Sequence, residues 1–405
     1  MTGHEDRWRE WSPPVLGALV RRFGDFDAAE DALQEALLAA SSSWAGDHVP
    51  DDPVAWLVTV ASRRLIDRWR SERARAAREM AASSASEPGL AISDSDDSLT
   101  LLLLCCHPAL PRPGQIALTL RAVGGLTTAQ IARAFLVPEP TIAQRISRAK
   151  ARLHEPDVRF ELPAPGAALD QRLQAVMQVL YVVFTEGHSS TNGTALDDSS
   201  ITAEAIRITR TFHDALPDHG EVAGLLALML LTEARRPARR NADGALVPLA
   251  DQDRTRWDGE LIAEGTALLA ESLPTTRIGA YQLQATIAAV HDEAPTWDAT
   301  DWPQILKLYQ LLLEVAPGPV VRLNAAVALA MVEGPQAGLL AVAALADDPL
   351  LRRSHRLPAV RGHLLEKAGQ TDAARANYLE AATLATNIPE QRYLQDRAAR
   401  LTPQA

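Results

Sequence analysis

Between Thr127 and Leu153 the chain carries two helix signals separated by a short break, and this stretch constrains the fold more tightly than any other. Thr127 and Gln130 have the spacing of a capping box, in which the threonine hydroxyl accepts from the third helical amide while the glutamine reaches back to the cap. A helix over 128–135 is predicted to follow, then a break at 136–138, then a helix through Leu153 whose Pro138 and Pro140 are compatible only with its first turn. Ile131, Ala132, Phe135, Val137, Ile142, Ile146 and Leu153 then form the inside of a helix-turn-helix. Glu139, Thr141, Ala143, Gln144, Ser147, Arg148 and Ala151 face outward, flanked by Arg145, Lys150 and Arg152. Short polar groups and arginines on the outer face of a second helix are what reading a major groove requires, whereas an undecorated corner of this kind would be packing alone.

Charge separates the chain into unlike halves. Up to residue 154 there are 18 basic and 19 acidic residues, and the remainder holds 22 and 32, so nearly all of the net charge of −11 lies in the C-terminal part. Within the first part the bases form two blocks, one from Arg63 through Arg64, Arg68, Arg70, Arg73 and Arg75 to Arg78, the other from Arg145 to Arg152. Two basic helices suggest two contacts with a polyanion, although one such face alone would as readily be solvated.

The remaining segments read as helix. Val15, Leu16, Leu19, Val20 and Phe23, then Ala29, Leu33, Ala36, Leu37 and Ala40, then Trp56, Leu57, Val60, Ala61 and Leu65 recur at helical spacing, which makes 10–80 a helical bundle with a break around Gly46, Pro50 and Pro53. Trp56 is placed in the core by its spacing with Leu57 and Val60. Residues 81–97 turn to Ser, Asp, Glu, Pro and Gly and read as a flexible acidic linker, and 98–154 form the second small unit. From 165 to 405 helical pieces are punctuated by Gly and Pro. Gly362, Gly369, Ala374, Tyr378 and Ala381 fall at the small-residue positions of a 34-residue tetratricopeptide unit, and Gly334 precedes Gly369 by 35 residues, so a degenerate α-solenoid is expected. The fold class is therefore all-α. A length of 405 residues with 47 % apolar and 22 % charged side chains fits two or three globular domains. No apolar run reaches the 18 or so residues of a membrane span, the first residues lack a signal-peptide core, and Cys105 and Cys106 are adjacent, which together lead to the expectation of a cytoplasmic protein with no membrane contact.

In this order, two arginine-bearing helical modules on an acidic tether resemble regions 2 and 4 of the bacterial sigma-seventy family, in its compact extracytoplasmic-function class. The likeness extends over residues 10–154. The run from Asp27 to Ala36 resembles regions 2.1 to 2.2, Trp56 and Leu57 with Ala61, Arg63, Asp67 and Arg68 resemble regions 2.3 and 2.4, and Ile142 to Leu153 is similar to the recognition helix of region 4.2. Cys105 to Leu110 and Tyr181 to Gly187 narrow the likeness to a subgroup with a long tetratricopeptide-like extension.

The resemblance implies a sigma factor: a protein that is no enzyme, needs no cofactor or metal, binds core RNA polymerase at the β′ clamp helices and the β flap, and directs it to promoters. Asp31, Gln34 and Glu35 lie within about one helical turn and are implied to dock on the clamp helices. Arg63, Arg64, Asp67, Arg68 and Arg70 are implied to meet the melted −10 element, where a base is flipped from the non-template strand, while Arg73, Arg75 and Arg78 are expected on backbone phosphate or in solvent. At the duplex −35 element Ala143, Gln144, Ser147 and Arg148 are implied near base edges, with Thr141, Arg145, Lys150 and Arg152 on phosphate. Ala143 departs from the basic residue that many relatives carry, which places that one contact in question. The acidic linker would thread polymerase channels that otherwise hold nucleic acid. The extension is expected to modulate activity and could take a regulatory protein.

A reading from a different class is an operator-binding regulator, in which the helix-turn-helix reads DNA and the repeat senses a partner without polymerase. Other combinations carry less. Vicinal Cys105 and Cys106 with His107 close a tetrahedral metal site poorly and are expected to be packing. Glu186, His188 and Ser189, or His213, Asp214 and His219, come with no nucleophile elbow or phosphate loop. Asp251, Asp253, Arg254 and Trp257 are expected to start a helix.

Overall fold

Helix is the regular structure throughout this computed structural model, which describes residues 2–44, 49–79, 97–155, 158, 166–188 and 199–401. A single antiparallel bridge between Arg240 and Leu246 is the sole extended pairing among the described residues. The chain divides into two units, Met1–Val183 and Phe184–Ala405.

The first unit begins with α1 (Thr2–Phe23), α2 (Phe26–Ser43) and α3 (Pro53–Glu79). Val15, Leu16, Leu19, Val20, Phe26, Ala29, Leu33, Ala36, Leu57, Ala61 and Leu65 are all buried, as the 3.6-residue spacing requires. Asp25 caps α2 by accepting from the Ala28 amide at 2.9 Å. Two features depart from the sequence expectation. Helix α1 starts at Thr2, ahead of the bundle expected from residue 10, and carries Pro13 and Pro14 inside it, although two consecutive prolines remove two helical donors. Trp56 is half-buried rather than enclosed, and joins an aromatic cluster in which its ring lies 5.0 Å from Trp44, while Trp44 stacks on Trp8 at 5.3 Å. The amphipathic indole accounts for this, since its large ring covers apolar surface while one edge stays wet.

Helices α4 (Asp97–Cys105), α5 (Arg112–Ala122), α6 (Thr128–Ala134) and α7 (Glu139–Leu153) follow. Of the linker expected over 81–97 only Asp97 lies within the described residues, and it opens α4 rather than closing a coil. Asp97 also fixes α4 on α1, its carboxylate taking the Arg21 Nε at 2.8 Å. Cys105 and Cys106 are fully buried, the Cys106 thiol 3.6 Å from the Thr119 hydroxyl. Burial pushes the Cys106 thiol up to about 12, so both act as small apolar side chains.

Helix α8 (Ala167–His188) opens just after residue 165, where the extension is expected to begin, and the two units divide within it, between Val183 and Phe184. Arg172 donates to the Leu103 carbonyl at 3.1 Å, and Arg112 donates to the Ala175 carbonyl at 3.3 Å and to the Gln178 side chain. These bonds tie most of α8 to α4 and α5, and the division between units falls inside it.

The second unit holds α9 (Ser199–Asp214), α10 (Gly220–Ala234), α11 (Gly259–Ser272), α12 (Ala280–Glu293), α13 (Trp302–Val315), α14 (Pro319–Glu333), α15 (Pro335–Ala343), α16 (Arg356–Lys367), α17 (Thr371–Leu384) and α18 (Ile388–Arg400). Nearly every residue of α10 is buried, and α12 passes so close to it that a Cβ on Gly224 would lie 2.6 Å from the Gln282 amide nitrogen. The segment with Asp253, Arg254 and Trp257 forms a tight 3₁₀ turn, and the following helix α11 is capped by Asp258 instead. Arg254 donates to the Ala294 carbonyl at 2.6 Å and lies over the Trp257 ring, satisfying the end of α12. Beside it Arg235 holds Asp292 at 2.6 Å. Burial, aided by Arg235 and Arg254, pushes His291 down to about 3, which keeps this ring neutral within a stack against Trp297. His219 is a helix cap, accepting from the Val222 amide, and His188 pairs with Glu233 at 3.7 Å; Ser189 lies outside the described residues.

From α13 onward the helices form successive pairs. Tyr378 and Ala374 of α17 come within 3.1–3.3 Å of where a Cβ on Gly362 of α16 would stand, so the small residue is what lets the two helices approach. Gly334 and Gly369 both have positive φ, 94° and 73°, and each ends a helix.

Candidate nucleic-acid interface

The corner between α6 and α7 is built as its sequence requires. The Thr127 amide donates to the Gln130 side chain at 2.8 Å and the Gln130 amide to the Thr127 hydroxyl at 3.2 Å, which completes the capping box. Leu136 turns the chain at φ 49°, the left-handed region that costs a residue with a Cβ about 1–2 kcal/mol. The Val137 amide then donates to the Ala132 carbonyl at 3.0 Å and fixes the angle at which α7 leaves.

Helix α7 presents two unlike faces. Ile142, Ile146, Ala149 and Leu153 are buried, while Ala143, Gln144, Ser147, Arg148 and Ala151 are exposed, with Thr141 and Arg145 half-exposed at the margin. Arg145 and Arg148 make no ion pair among the described residues. Arg152 pairs with Glu155 at 3.6 Å. Lys150 is placed otherwise than as an open phosphate contact: its ammonium lies 2.8 Å from Asp27 and also bonds Glu30, and its side chain is 15 % exposed. Burial disfavours the charge, but the bonds to Asp27 and Glu30 outweigh it and hold the lysine pKa above its ordinary value.

On α3 the side chains of Arg63, Arg64, Asp67, Arg68 and Arg70 are all exposed along one side, whereas those of Arg73, Arg75 and Arg78 lie outside the described residues. Arg68 reaches Asp31 of α2 at 3.2 Å and Arg64 reaches Glu35 at 3.6 Å. Two sets of residues assigned to different partners thus border one open groove of about 560 Å³. Both pairs are more than half exposed and hold each other weakly, so either side can exchange its partner for a stronger ligand. The groove also reveals a residue that sequence patterning missed. Leu38 is 68 % exposed and continues the α2 face of Asp31, Gln34 and Glu35. Its position one helical turn beyond Gln34 was the available signal.

Comparison with known proteins agrees with this layout. Residues 8–75 match sigma-70 region 2, residues 100–153 match sigma-70 region 4, and residues 172–273 match a family of unknown function, DUF6596. The chain is 41 % identical over 393 residues to an uncharacterized protein, R00370, of Rhizobium meliloti (strain 1021), covering 94 % of this chain and 92 % of that one. It is 32 % identical over 140 residues to the ECF RNA polymerase sigma factor SigK of Mycobacterium sp. (strain KMS), covering 33 % of this chain and 71 % of the relative. It is 27 % identical over 156 residues to the probable ECF RNA polymerase sigma factor SigI of Mycobacterium tuberculosis (strain CDC 1551 / Oshkosh), where the shares are 36 % and 53 %. No solved structure matches the chain.

The chain belongs to the sigma-70 family, in its ECF class.

In this sigma factor region 2 corresponds to α1–α3 and region 4 to α4–α7. The match to DUF6596 begins within α8 and ends near the close of α11, leaving α12–α18 beyond any matched family. Among the described residues no helix is long and apolar enough to cross a membrane.

Proposed function

We propose that this sigma factor binds core RNA polymerase through the α2 stripe of Asp31, Gln34, Glu35 and Leu38 and directs it to promoters, acting by recognition and not as a catalyst. Helix α7 reads the −35 duplex with Gln144, Ser147 and Arg148 at base edges and Ala143 beside them, while Thr141, Arg145, Lys150 and Arg152 take phosphates. The row of Arg63, Arg64, Asp67, Arg68 and Arg70 on α3 meets the −10 element, where arginines hold the backbone as strands separate. The observation that carries the reading is the outer face of α7, polar and basic, exposed from Ala143 to Arg148, on a helix whose opposite face is fully packed. An operator-binding regulator would need that face but neither the apolar and acidic stripe on α2 nor the arginine row on α3.

The helical extension, on this reading, adjusts activity and offers paired helices of a tetratricopeptide-like kind to a regulatory protein. Run-off transcription with core polymerase and fragments of the source genome tests the whole scheme. Discrete starts that depend on the protein and vanish in the Gln34→Ala, Glu35→Ala double variant are expected. Absence of starts, with duplex DNA still bound when polymerase is left out, would instead establish the operator-binding regulator.

A further inference from the structure

The last turn of the recognition helix is seated on the first turn of α2. Lys150 of α7 lies between Asp27, at 2.8 Å, and Glu30, with its ammonium 5.4 Å from the Phe26 ring centroid. Glu30 takes a second cation, Arg121 of α5, at 3.4 Å. His154 closes α7 and lies 3.2 Å from Asp25, the residue that caps α2. Each group suits its own helix dipole, with acids at a helix start and cations at a helix end, so the two ends attract twice over.

Lysine is rare in this chain, with three in 405 residues, and this one occupies a site where a compact ammonium with three donors fits between two carboxylates. Glu30 and Lys150 are only 18 % and 15 % exposed on their side chains, which separates this contact from the open pairs of Arg64 and Arg68. Two of the three ammonium donors are committed in this way, and a DNA phosphate approaching Lys150 would have to place its oxygens where the two carboxylates now lie.

We propose that Asp27 and Glu30 act as an internal latch on the recognition helix, holding Lys150 in place of a duplex phosphate, so that DNA must displace them to gain its full set of contacts. The proposal rests on the reading of α7 as the −35 helix. Neither acid belongs to the stripe assigned to polymerase, so the latch can be released without altering that surface. Its effect is to lower the affinity of the free chain for DNA at large.

Carbodiimide coupling of the full chain tests the contact directly, because it joins a lysine to a touching carboxylate and only three lysines are present. A linkage from Lys150 to Asp27 or Glu30 is expected in the free protein, and its yield should fall as a mixed-sequence DNA duplex is added. In parallel, the Asp27→Asn, Glu30→Gln double variant should bind that duplex roughly five- to tenfold more tightly than the unaltered chain. A charge-matched control, Asp51→Asn with Asp170→Asn, should change affinity by less than about twofold. No linkage in the free chain, a yield indifferent to saturating duplex, or an equal gain in the control each overturns the latch. If the linkage is present but neither protein binds duplex, the competition proposed here falls, whereas the promoter reading is decided separately by run-off transcription with core polymerase.

Discussion

A Cβ placed on Gly17 of α1 would lie 2.0 Å from the carbonyl oxygen of Asp97, the first residue of α4. Regions 2 and 4 of this sigma factor therefore meet backbone to backbone, and Gly17 is the residue that allows it. Alanine inside a free helix is favoured over glycine by about 1 kcal/mol, so the contact and the propensity have opposite signs. Replacing Gly17 by valine should lower stability by roughly 1–3 kcal/mol, read as a fall in Tm of the full chain, because α4 must move and Arg21 must release Asp97. A rise in Tm would show that the contact is not made in solution.

Leu33 and Leu38 sit on the same helix with opposite roles. Leu33→Ala should cost about 2–5 kcal/mol, since its side chain is enclosed. Leu38→Ala should leave stability within about 0.5 kcal/mol of the unaltered protein and weaken core polymerase binding by about tenfold, measured by titration of labelled polymerase. Equal binding by both proteins would remove Leu38 from the docking stripe.

Helix α8 belongs to the stability of the first unit. A fragment ending at residue 160 loses the bonds that Arg172 and Arg112 make with Leu103, Ala175 and Gln178, and should be less stable than a fragment ending at residue 188 by roughly 1–3 kcal/mol. Circular dichroism melts of the two fragments decide this. Transcription compared between residues 1–188 and the full chain then reports on the extension without disturbing α4 and α5, and an unchanged yield would mean that the extension does not modulate.

The contact between His154 and Asp25 is expected to respond to pH. The two ring nitrogens face the Lys150 carbonyl at 2.8 Å and the Asp25 carboxylate at 3.2 Å, both acceptors, which only the doubly protonated ring satisfies. The bond to the Lys150 carbonyl, then the charges of Asp25 and Asp27, raise the His154 pKa above 6.5 against its partial burial. Burial opposes the Asp25 charge, but bonds from Ala28 and His154 bring it below 3.8. A raised histidine contributes stability below its unfolded value that is lost as pH climbs through the raised one. The lowered aspartate contributes above its unfolded value and loses it as pH falls through the depressed one. Both are therefore intact between pH 3.8 and 6.5. The Tm difference between the unaltered chain and His154→Gln should be largest in that window and shrink above it; a difference flat with pH would show that the ring is uncharged in the contact.

Local signals carried much of this molecule. The capping box at Thr127 and Gln130, the buried positions of α1 to α3 and the outward face of α7 were all legible, because each depends on groups within about a turn of one another. Asp31, Gln34 and Glu35 were legible as a stripe for the same reason, and Leu38 could have been added to it by continuing the spacing. Other features had no local signal. That α8 is tied to α4 and α5 follows from hydrogen bonds spanning 63 to 69 residues, and nothing in the glycine- and proline-rich stretch before it pointed to that side.

Sequence alone determined the helices and their buried and exposed faces, since a helix fixes which side chains share a side. Tertiary structure alone decided that Lys150 turns to Asp27 across 123 residues while Arg148 stays open. The spacing of an amphipathic helix says which residues point outward but not what meets them there. That is settled when the apolar faces of α1 to α7 pack and the end of one helix is brought against the start of another.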